Sequence, residues 1–555
     1  MRGSYGHGGA AEVASAEPAA IFEPASPRGA QRVPNPTGRR AGEALAWLAG
    51  AAAVFSLLML LTRVDVLSSD PANNALQSWD LLHGNLMLHG WVLGDVTFYT
   101  FELPLIAVTE AIFGLGALAV QVALALIYLA VAACAVAVAV TDSPGTDKGG
   151  LSRAARAGVV VAVLAAPILV RSDRWVPLGL PDHTGTTVFT LLSVLLVDRA
   201  RSWRFTPPLL CLILCAGQLS DVTVRYVAVP AIVLVCLYQA LRAPAPRLRT
   251  RDAACLAAAL ISVALSLAIR EVMLHFGAYQ MVTPDTALAP VSAWGGNLAL
   301  TWHALRTLFG QVAGTGATPA SAVAAAFGAC CMLAAAAGLA RVLWRWRSAS
   351  RAEQILAVLI VLSIVTYAIS VLPKPESQHD IVTVLVAGAV LAARALVPAR
   401  IGSRTLAAVI CAAAGTAALL PLSVSAAHAG IPNNGRYPVL TRWLRAHGLK
   451  YGLASYWDAS VLTVATGGQV QVRSVQVTAG DITQYSWEMD SAWYDATRHD
   501  ANFILIDPKD PALGLAAERI FGRPARTYRV QGIEVLVYHE NLLTQVGPPP
   551  PRSLS

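Results

Sequence analysis

Residues 111–140 read AIFGLGALAVQVALALIYLAVAACAVAVAV, thirty positions without a charged side chain. A helix of about 20 apolar residues crosses a bilayer core, because every backbone N–H and C=O must find its partner within the segment where water is absent. This stretch is long enough to cross, and it is one of a series. Apolar runs at 44–61, 155–170, 184–197, 205–219, 226–241, 253–269, 319–340, 355–372, 381–393 and 405–427 repeat the pattern, and then it stops. Several of these runs have only 13 to 16 residues and need polar ends at the interface to complete a crossing. The sequence therefore predicts a polytopic α-helical membrane protein of about 11 transmembrane helices, followed by a separate domain.

Composition agrees. Of 555 residues, 55% are hydrophobic and 13% charged, against roughly 25% charged in a soluble globular chain. The net charge of +8 is not spread like a nucleic-acid footprint. It sits in alternate short loops: Lys148, Arg153 and Arg156; Arg199, Arg201 and Arg204; Arg242, Arg247, Arg249 and Arg251; Arg341, Arg345, Arg347 and Arg351; Arg394, Arg400 and Arg404. By the positive-inside rule these loops are cytoplasmic. An odd number of spans then puts the N-terminus inside and the C-terminal domain outside, in a bacterial plasma membrane. The eight cysteines all lie in apolar runs, which argues against a disulfide framework or a Cys-based metal site.

The expected organisation is a disordered cytoplasmic tail at 1–40, a membrane domain at 41–428 with a large first outer loop at 62–110, an extracytoplasmic α/β domain at 429–546 and a Pro-rich tail at 547–555. In the C-terminal domain helical stretches (Pro438 to His447, Ala459 to Ala465, Asp490 to Thr497, Pro511 to Ile520) alternate with β-rich ones (Tyr451 to Tyr456, Val470 to Val475, Phe503 to Asp507, Thr527 to Val530, Ile533 to Tyr538). That alternation suggests a small α/β sandwich, and Gln531-Gly532 between the last two strands reads as a hairpin turn.

The first outer loop, at 68–105, reads SSDPANNALQSWDLLHGNLMLHGWVLGDVTFYTFELPL. Leu76, Trp79, Leu82, Leu86 and Leu88 make an apolar face suited to a helix lying in the membrane interface. Asp70, Asp80, Asp95 and Glu102 place four carboxylates beside the membrane, where each must be solvated, paired or used. The second loop, RSDRWVPLGLPDHTG at 171–185, adds Asp173, Asp182 and His183. Asp182 reads equally as a cap for the helix that begins in the following threonines. An acid beside a histidine is compatible with a divalent cation, but two ligands fall short of a metal site.

One apolar helix, a long loop with an early Asp, the Gly84-Asn85 and Gly90-Trp91 pairs and the Glu102-Leu103-Pro104 entry into the next helix together resemble the GT-C superfamily of integral-membrane glycosyltransferases. The likeness is to bacterial multipass members related to protein O-mannosyltransferases. It covers the membrane portion in topology and residues 70–104 at motif level. It implies a polyprenyl-phosphate sugar as donor, an inverting transfer to an extracytoplasmic glycan, lipid or protein, and an acidic first-loop residue as catalytic base. The match falls on Asp70, with Asp80 and Glu102 as second choices. A lipid-linked phosphate also requires cations at headgroup level, and Arg171, Arg174, Arg225, Arg270, Lys374 and His379 are available. Arg225 follows Asp221 by four residues, the spacing of a helical ion pair. Tyr456-Trp457-Asp458 loosely resembles the Trp-Trp-Asp element with which oligosaccharyltransferases recognise acceptor peptide, although the second Trp and the residues after it differ.

No Walker A sequence, Rossmann fingerprint or His-Glu-x-x-His is present, so nucleotide-driven pumping finds no support. Two other readings remain at the sequence level. A transporter or flippase of lipid-linked glycans would call for internal repeats and mid-span charges, and neither is seen. A non-catalytic envelope protein would leave the acidic loop without a task.

Overall fold

A computed structural model describes residues 36–62, 67–141, 150–169, 182–199, 204–243, 246–283, 287–311, 319–397 and 437–550. The chain divides into two compact units, Met1–Gly50 and Ala51–Ser555. The first contributes the beginning of helix α1 (Pro36–Thr62), and the second holds the remainder.

In the membrane portion α2 (Ser69–Leu82), strand β1 (Trp91–Leu93), α3 (Glu102–Phe113), α4 (Ala117–Val140), α5 (Gly150–Leu169), α6 (Thr186–Asp198) and α7 (Thr206–Ser220) follow α1. A π-helical turn (Val224–Ala228) leads into α8 (Val229–Arg242). Then come α9 (Pro246–His275), β2 (Gln280–Met281), α10 (Trp294–Leu308), α11 (Pro319–Trp344), α12 (Arg351–Ile369) and α13 (Val382–Leu396). Ten of the expected spans coincide with helices, and the run at 405–427 lies outside the described residues. Among the described residues seven helices are long and apolar enough to cross a membrane, while α6 and α7 are shorter apolar helices. The described residues therefore support a multi-pass helical membrane protein without confirming the count of eleven.

Two expectations for the first loop are corrected. The run at 111–140 is not one helix. Gly114, at φ +77°, ends α3, and α4 starts afresh at Ala117. The expected apolar face of α2 is also covered in large part by protein. Its residues Pro71 to Ser78 are buried against α3 and the C-terminal domain, and Leu76 and Leu88 are buried while Leu82 and Leu86 are exposed.

That domain contains α14 (Pro438–Ala446), β3 (Tyr451–Ala454), α15 (Tyr456–Ala465), β4 (Gln471–Thr478), β5 (Asp481–Gln484), β6 (Met489–Asp490), β7 (Phe503–Ile506), α16 (Pro511–Phe521), β8 (Arg526–Val530) and β9 (Ile533–Val537). Six strands form a mixed sheet in the order β5-β4-β3-β7-β9-β8, with β3 parallel to both neighbours and the outer pairs antiparallel. The Gln531-Gly532 turn has positive φ at both residues, 53° and 86°, as a two-residue hairpin with the twist of its strands requires. Ala479-Gly480 does the same between β4 and β5, a strand absent from the sequence reading. The helix expected from Asp490 to Thr497 is instead β6 followed by a 3₁₀ turn at Ser491–Tyr494. A partner distant in sequence decides this, since β6 pairs with β1, Trp91 opposite Asp490.

The resulting three-stranded sheet, β2-β1-β6, ties the first loop, the segment after α9 and the C-terminal domain together. Bridges Val96–Asp221 and Leu288–Ser370 attach two more connectors. At the opposite helix ends arginines close exposed carbonyls. Arg394 donates to Val138 O (2.6 Å) and Thr141 O (3.0 Å), and Arg156 to Ala139 O (3.0 Å) and Val397 O (3.2 Å). Cations at helix C-termini are favourable electrostatically. Between α11 and α13 the approach is close enough that a Cβ on Gly338 would lie 2.7 Å from the Leu391 carbonyl carbon, the small-residue packing typical of membrane helices.

Candidate functional site

The connectors on the C-terminal-domain side bring two polar clusters together. The first forms where α2 meets α15. Tyr456, at the start of α15, places its hydroxyl 2.5 Å from Asp70 Oδ1 and 2.8 Å from Glu488 Oε2. Asn73, one turn after Asp70, donates from Nδ2 to Glu488 Oε2 (3.1 Å) and accepts at Oδ1 from the Ser460 hydroxyl. Glu488, Asn73, Ser460 and Tyr456 are buried, whereas Asp70 is half-buried. Burial pushes Asp70 up from its ordinary value, and the Tyr456 hydrogen bond opposes the rise. Glu488 is held well above its ordinary range by burial and then by the Asp70 charge.

The second cluster centres on His183, which sits at φ +54°. A residue other than glycine in that region is strained, and such strain collects at functional sites. His183 Nδ1 lies 2.6 Å from Asp221 Oδ2, and Nε2 lies 3.4 Å from Asp380 Oδ1. Thr186 donates to Asp221 Oδ2 (2.9 Å) and the Thr223 amide to Asp221 Oδ1 (2.8 Å). His379 stacks on His183 at 6.1 Å between ring centres. Burial depresses His183, but Asp221 and Asp380 more than reverse it and hold the imidazolium well above its ordinary value. Burial likewise opposes the Asp221 carboxylate, yet His183 and Thr223 hold it below. Asp182 couples the clusters. Burial raises it well above the ordinary carboxylate range, and the next contribution comes from the charge of Asp70.

Glu102 is fully buried at the start of α3. Its Oε1 packs on Gly185, where a Cβ would collide with it, and has no hydrogen-bond partner among the described residues, while Oε2 lies 3.4 Å from the Ser220 hydroxyl. Burial pushes Glu102 up to about 8.

Beside the His183 cluster lies a cavity of about 620 Å³ whose walls include Asp95, Asp221, Arg225, Arg270, Glu271 and Tyr279. The expected Asp221–Arg225 ion pair is not formed. Asp221 is extended (φ −153°, ψ 120°) at the break between α7 and the π turn, so four-residue helical spacing does not apply. Arg225 instead donates to Gln218 Oε1 (3.3 Å), which also accepts from Ser266 (3.2 Å). Arg270 lies over the Tyr279 ring at 4.5 Å and donates to Tyr279 O (3.2 Å).

Other sequence candidates fall elsewhere. Asp80 accepts from the Trp91 indole (2.8 Å), at the far end of α2 from Asp70. Gly185, not Asp182, occupies the N-cap of α6. Trp457 is exposed beside Tyr456, and Asp458 is buried, accepting from Tyr437 (2.7 Å) and Ser455 (2.9 Å). Asp458 thus anchors the start of α15 rather than facing an acceptor. Lys374 is exposed on the loop leading to His379 and Asp380. Arg171, Arg174 and Asp173 lie outside the described residues. Sequence reasoning did not single out Glu488, Asp380 or Tyr279, which reach the site only through tertiary contacts.

Among the described residues no three His, Cys, Asp or Glu side chains are arranged to hold a metal ion. Both ring nitrogens of His183 already face carboxylates, so a protonated His183 has no lone pair to offer a cation.

A membrane-helix bundle with a long first loop packed against a C-terminal α/β domain is also the fold of a solved membrane protein. The structure of ArnT from Cupriavidus metallidurans bound to undecaprenyl phosphate superimposes with a TM-score of 0.56 at 15% identity, covering 91% of this chain and 99% of that one. Its apo form gives 0.54 at 14% identity, with the same coverage. Lower similarity, TM-score 0.43 at 13% identity, extends to the Archaeoglobus fulgidus oligosaccharyltransferase over 85% of this chain and 71% of that one. The fold is thus the one seen in ArnT. No family model matches the sequence, and no curated protein matches it.

Proposed function

We propose that this chain is an inverting membrane glycosyltransferase that takes a sugar from a polyprenyl-phosphate donor on the extracytoplasmic side, with Asp70 as the base. The observation that carries this reading is a half-buried carboxylate, Asp70, whose charge reaches Asp182 beside His183, together with a cavity on the Asp221 side of that cluster whose wall holds Arg225 and Arg270. Arginine suits phosphate through its planar fork of donors. The fold shared with a protein crystallised with undecaprenyl phosphate supports the donor class.

In this reading the acceptor hydroxyl oxygen forms a bond to the anomeric carbon as the bond from that carbon to the phosphate oxygen breaks. The polyprenyl phosphate leaves with the bonding electrons, and the hydroxyl proton passes to Asp70. Asp70 contributes as a general base, an effect worth roughly 10²–10⁴-fold. Arg225 and Arg270 stabilise the charge on the departing phosphate, and the Asp221–His183–Asp380 array fixes the loop that carries Asp182.

The test uses the full-length protein in lipid nanodiscs, titrated with undecaprenyl phosphate and then incubated with synthetic polyprenyl-phosphate monosaccharides and a membrane extract as acceptor source. Saturable binding, followed by protein-dependent release of polyprenyl phosphate from one of the donors, is expected. Absence of both overturns the reading. Donor crossing the bilayer intact, without cleavage, would indicate a flippase.

A further inference from the structure

We infer that Glu488 of the C-terminal domain is the protonated end of a relay through Tyr456 to Asp70, making Glu488 a positioning residue for the carboxylate that faces the acceptor. The hydroxyl of Tyr456 lies within hydrogen-bond distance of both carboxylates, 2.5 Å from Asp70 Oδ1 and 2.8 Å from Glu488 Oε2. One hydroxyl carries one hydrogen, so Tyr456 donates to only one of them. The other contact is a hydrogen bond only if that carboxyl brings its own proton. The shorter distance falls in the range of O–H···O⁻ bonds and marks Asp70 as the acceptor, which leaves Glu488 as the donor to Tyr456.

Surroundings agree with that assignment. Glu488 is 3% exposed, and its Oε2 also receives the Asn73 amide. Asn73 is itself oriented by Ser460, which donates to Oδ1 and so directs Nδ2 towards Glu488. The charges that act most strongly on Glu488 are those of Asp70 and Asp182, and both favour its protonated form. A buried carboxyl among like charges keeps its proton. Glu488 also sits at φ +48°, a strained backbone held in place by pairing of β6 with β1 in the next residues. Chain order then gives a direction: Glu488 donates to Tyr456, Tyr456 donates to Asp70, and Asp70 alone is open to a substrate proton. The folded C-terminal domain thereby contributes to the site at the end of the first loop.

The inference rests on the proposed base role for Asp70 only in its kinetic consequence, because the position of the proton is measurable without any substrate. Infrared spectra of the full-length protein in nanodiscs at pH 7 are compared for wild type, Glu488→Gln and Tyr456→Phe. Glu488→Gln should remove one protonated-carboxyl stretch, and Tyr456→Phe should move the same band to higher frequency as its hydrogen bond is lost. Loss of no such band in Glu488→Gln overturns the relay. In donor cleavage, Tyr456→Phe should move the acid limb about one unit upward, a rate about tenfold lower at fixed acid pH. A Tyr456→Phe enzyme with an unmoved acid limb would also overturn it. If the infrared band behaves as stated and no donor is ever cleaved, the relay stands and the glycosyltransferase reading falls.

Discussion

His183 Nδ1 and Asp221 Oδ2 lie 2.6 Å apart, joining the segment before α6 to the break after α7. The pair is buried, and its two shifts have opposite signs. His183 is raised, so its share of stability is complete below about pH 6.5 and is lost as pH rises through the higher folded value. Asp221 is lowered, so its share is complete above about pH 3.9 and is lost as pH falls through the lower folded value. Asp221→Asn should cost about 3 kcal/mol, because the buried His183 loses the nearer of its two carboxylates and keeps only Asp380. Thermal unfolding in detergent across pH checks this. Wild type should lose stability on the alkaline side, and that loss should be smaller in Asp221→Asn.

Glu102 gives the opposite test, because here charge is unwelcome. Its folded value of about 8 stands above the ordinary 4.5. The stability tied to its proton is complete below pH 4.5 and is lost as pH rises through about 8. Glu102→Gln should therefore unfold at a higher temperature than wild type at pH 9, by roughly 1–3 kcal/mol of stability, and match it at pH 4.

Arg225 and Arg270 share the cavity wall. Replacing either by Gln should lower kcat/KM for the donor about tenfold, a loss of about 1.4 kcal/mol of transition-state stabilisation that falls on kcat as well as KM. Binding of undecaprenyl phosphate, followed by fluorescence, should weaken in parallel. Unaltered binding in both variants would remove the arginines from the phosphate site.

Gly338 tests the helix packing alone. A Cβ there would come 2.7 Å from backbone of α13, so Gly338→Leu should lower stability by several kcal/mol through a backbone clash. Gly50→Leu, at a position with no heavy atom within 4 Å of the added Cβ, should have little effect.

The membrane class was legible in the sequence because hydropathy is a local property. Ten expected spans found helices, and the loop arginines found helix ends, as with Arg156 and Arg394. The first loop was legible as a set of acids but not as a structure. Whether α2 lies on lipid or on protein depends on α15, more than 370 residues away in sequence, and nothing within α2 records that partner. The same holds for Glu488, an isolated acid in an aromatic stretch until β6 pairs with β1. Asp221 and Arg225 misled for a related reason, since their spacing implies an ion pair only on a continuous helix, whereas α7 ends at Ser220 and Arg225 belongs to the π turn that follows. Asp70 and His183 were found from the sequence because short acidic loops between apolar runs are uncommon. Their partners, Tyr456 and Asp380, are fixed by topology.

The most direct measurement is donor cleavage by Asp70→Asn. The substitution keeps the size of the side chain and an oxygen for the Tyr456 hydroxyl, 2.5 Å away, while removing the base. Full-length wild type and variant in nanodiscs are supplied with the same polyprenyl-phosphate monosaccharide and membrane extract, and released polyprenyl phosphate is followed. The account predicts a fall of about 10²–10⁴-fold in rate, with unchanged unfolding temperature and unchanged binding of undecaprenyl phosphate. A folded Asp70→Asn protein that cleaves donor at the wild-type rate would contradict it.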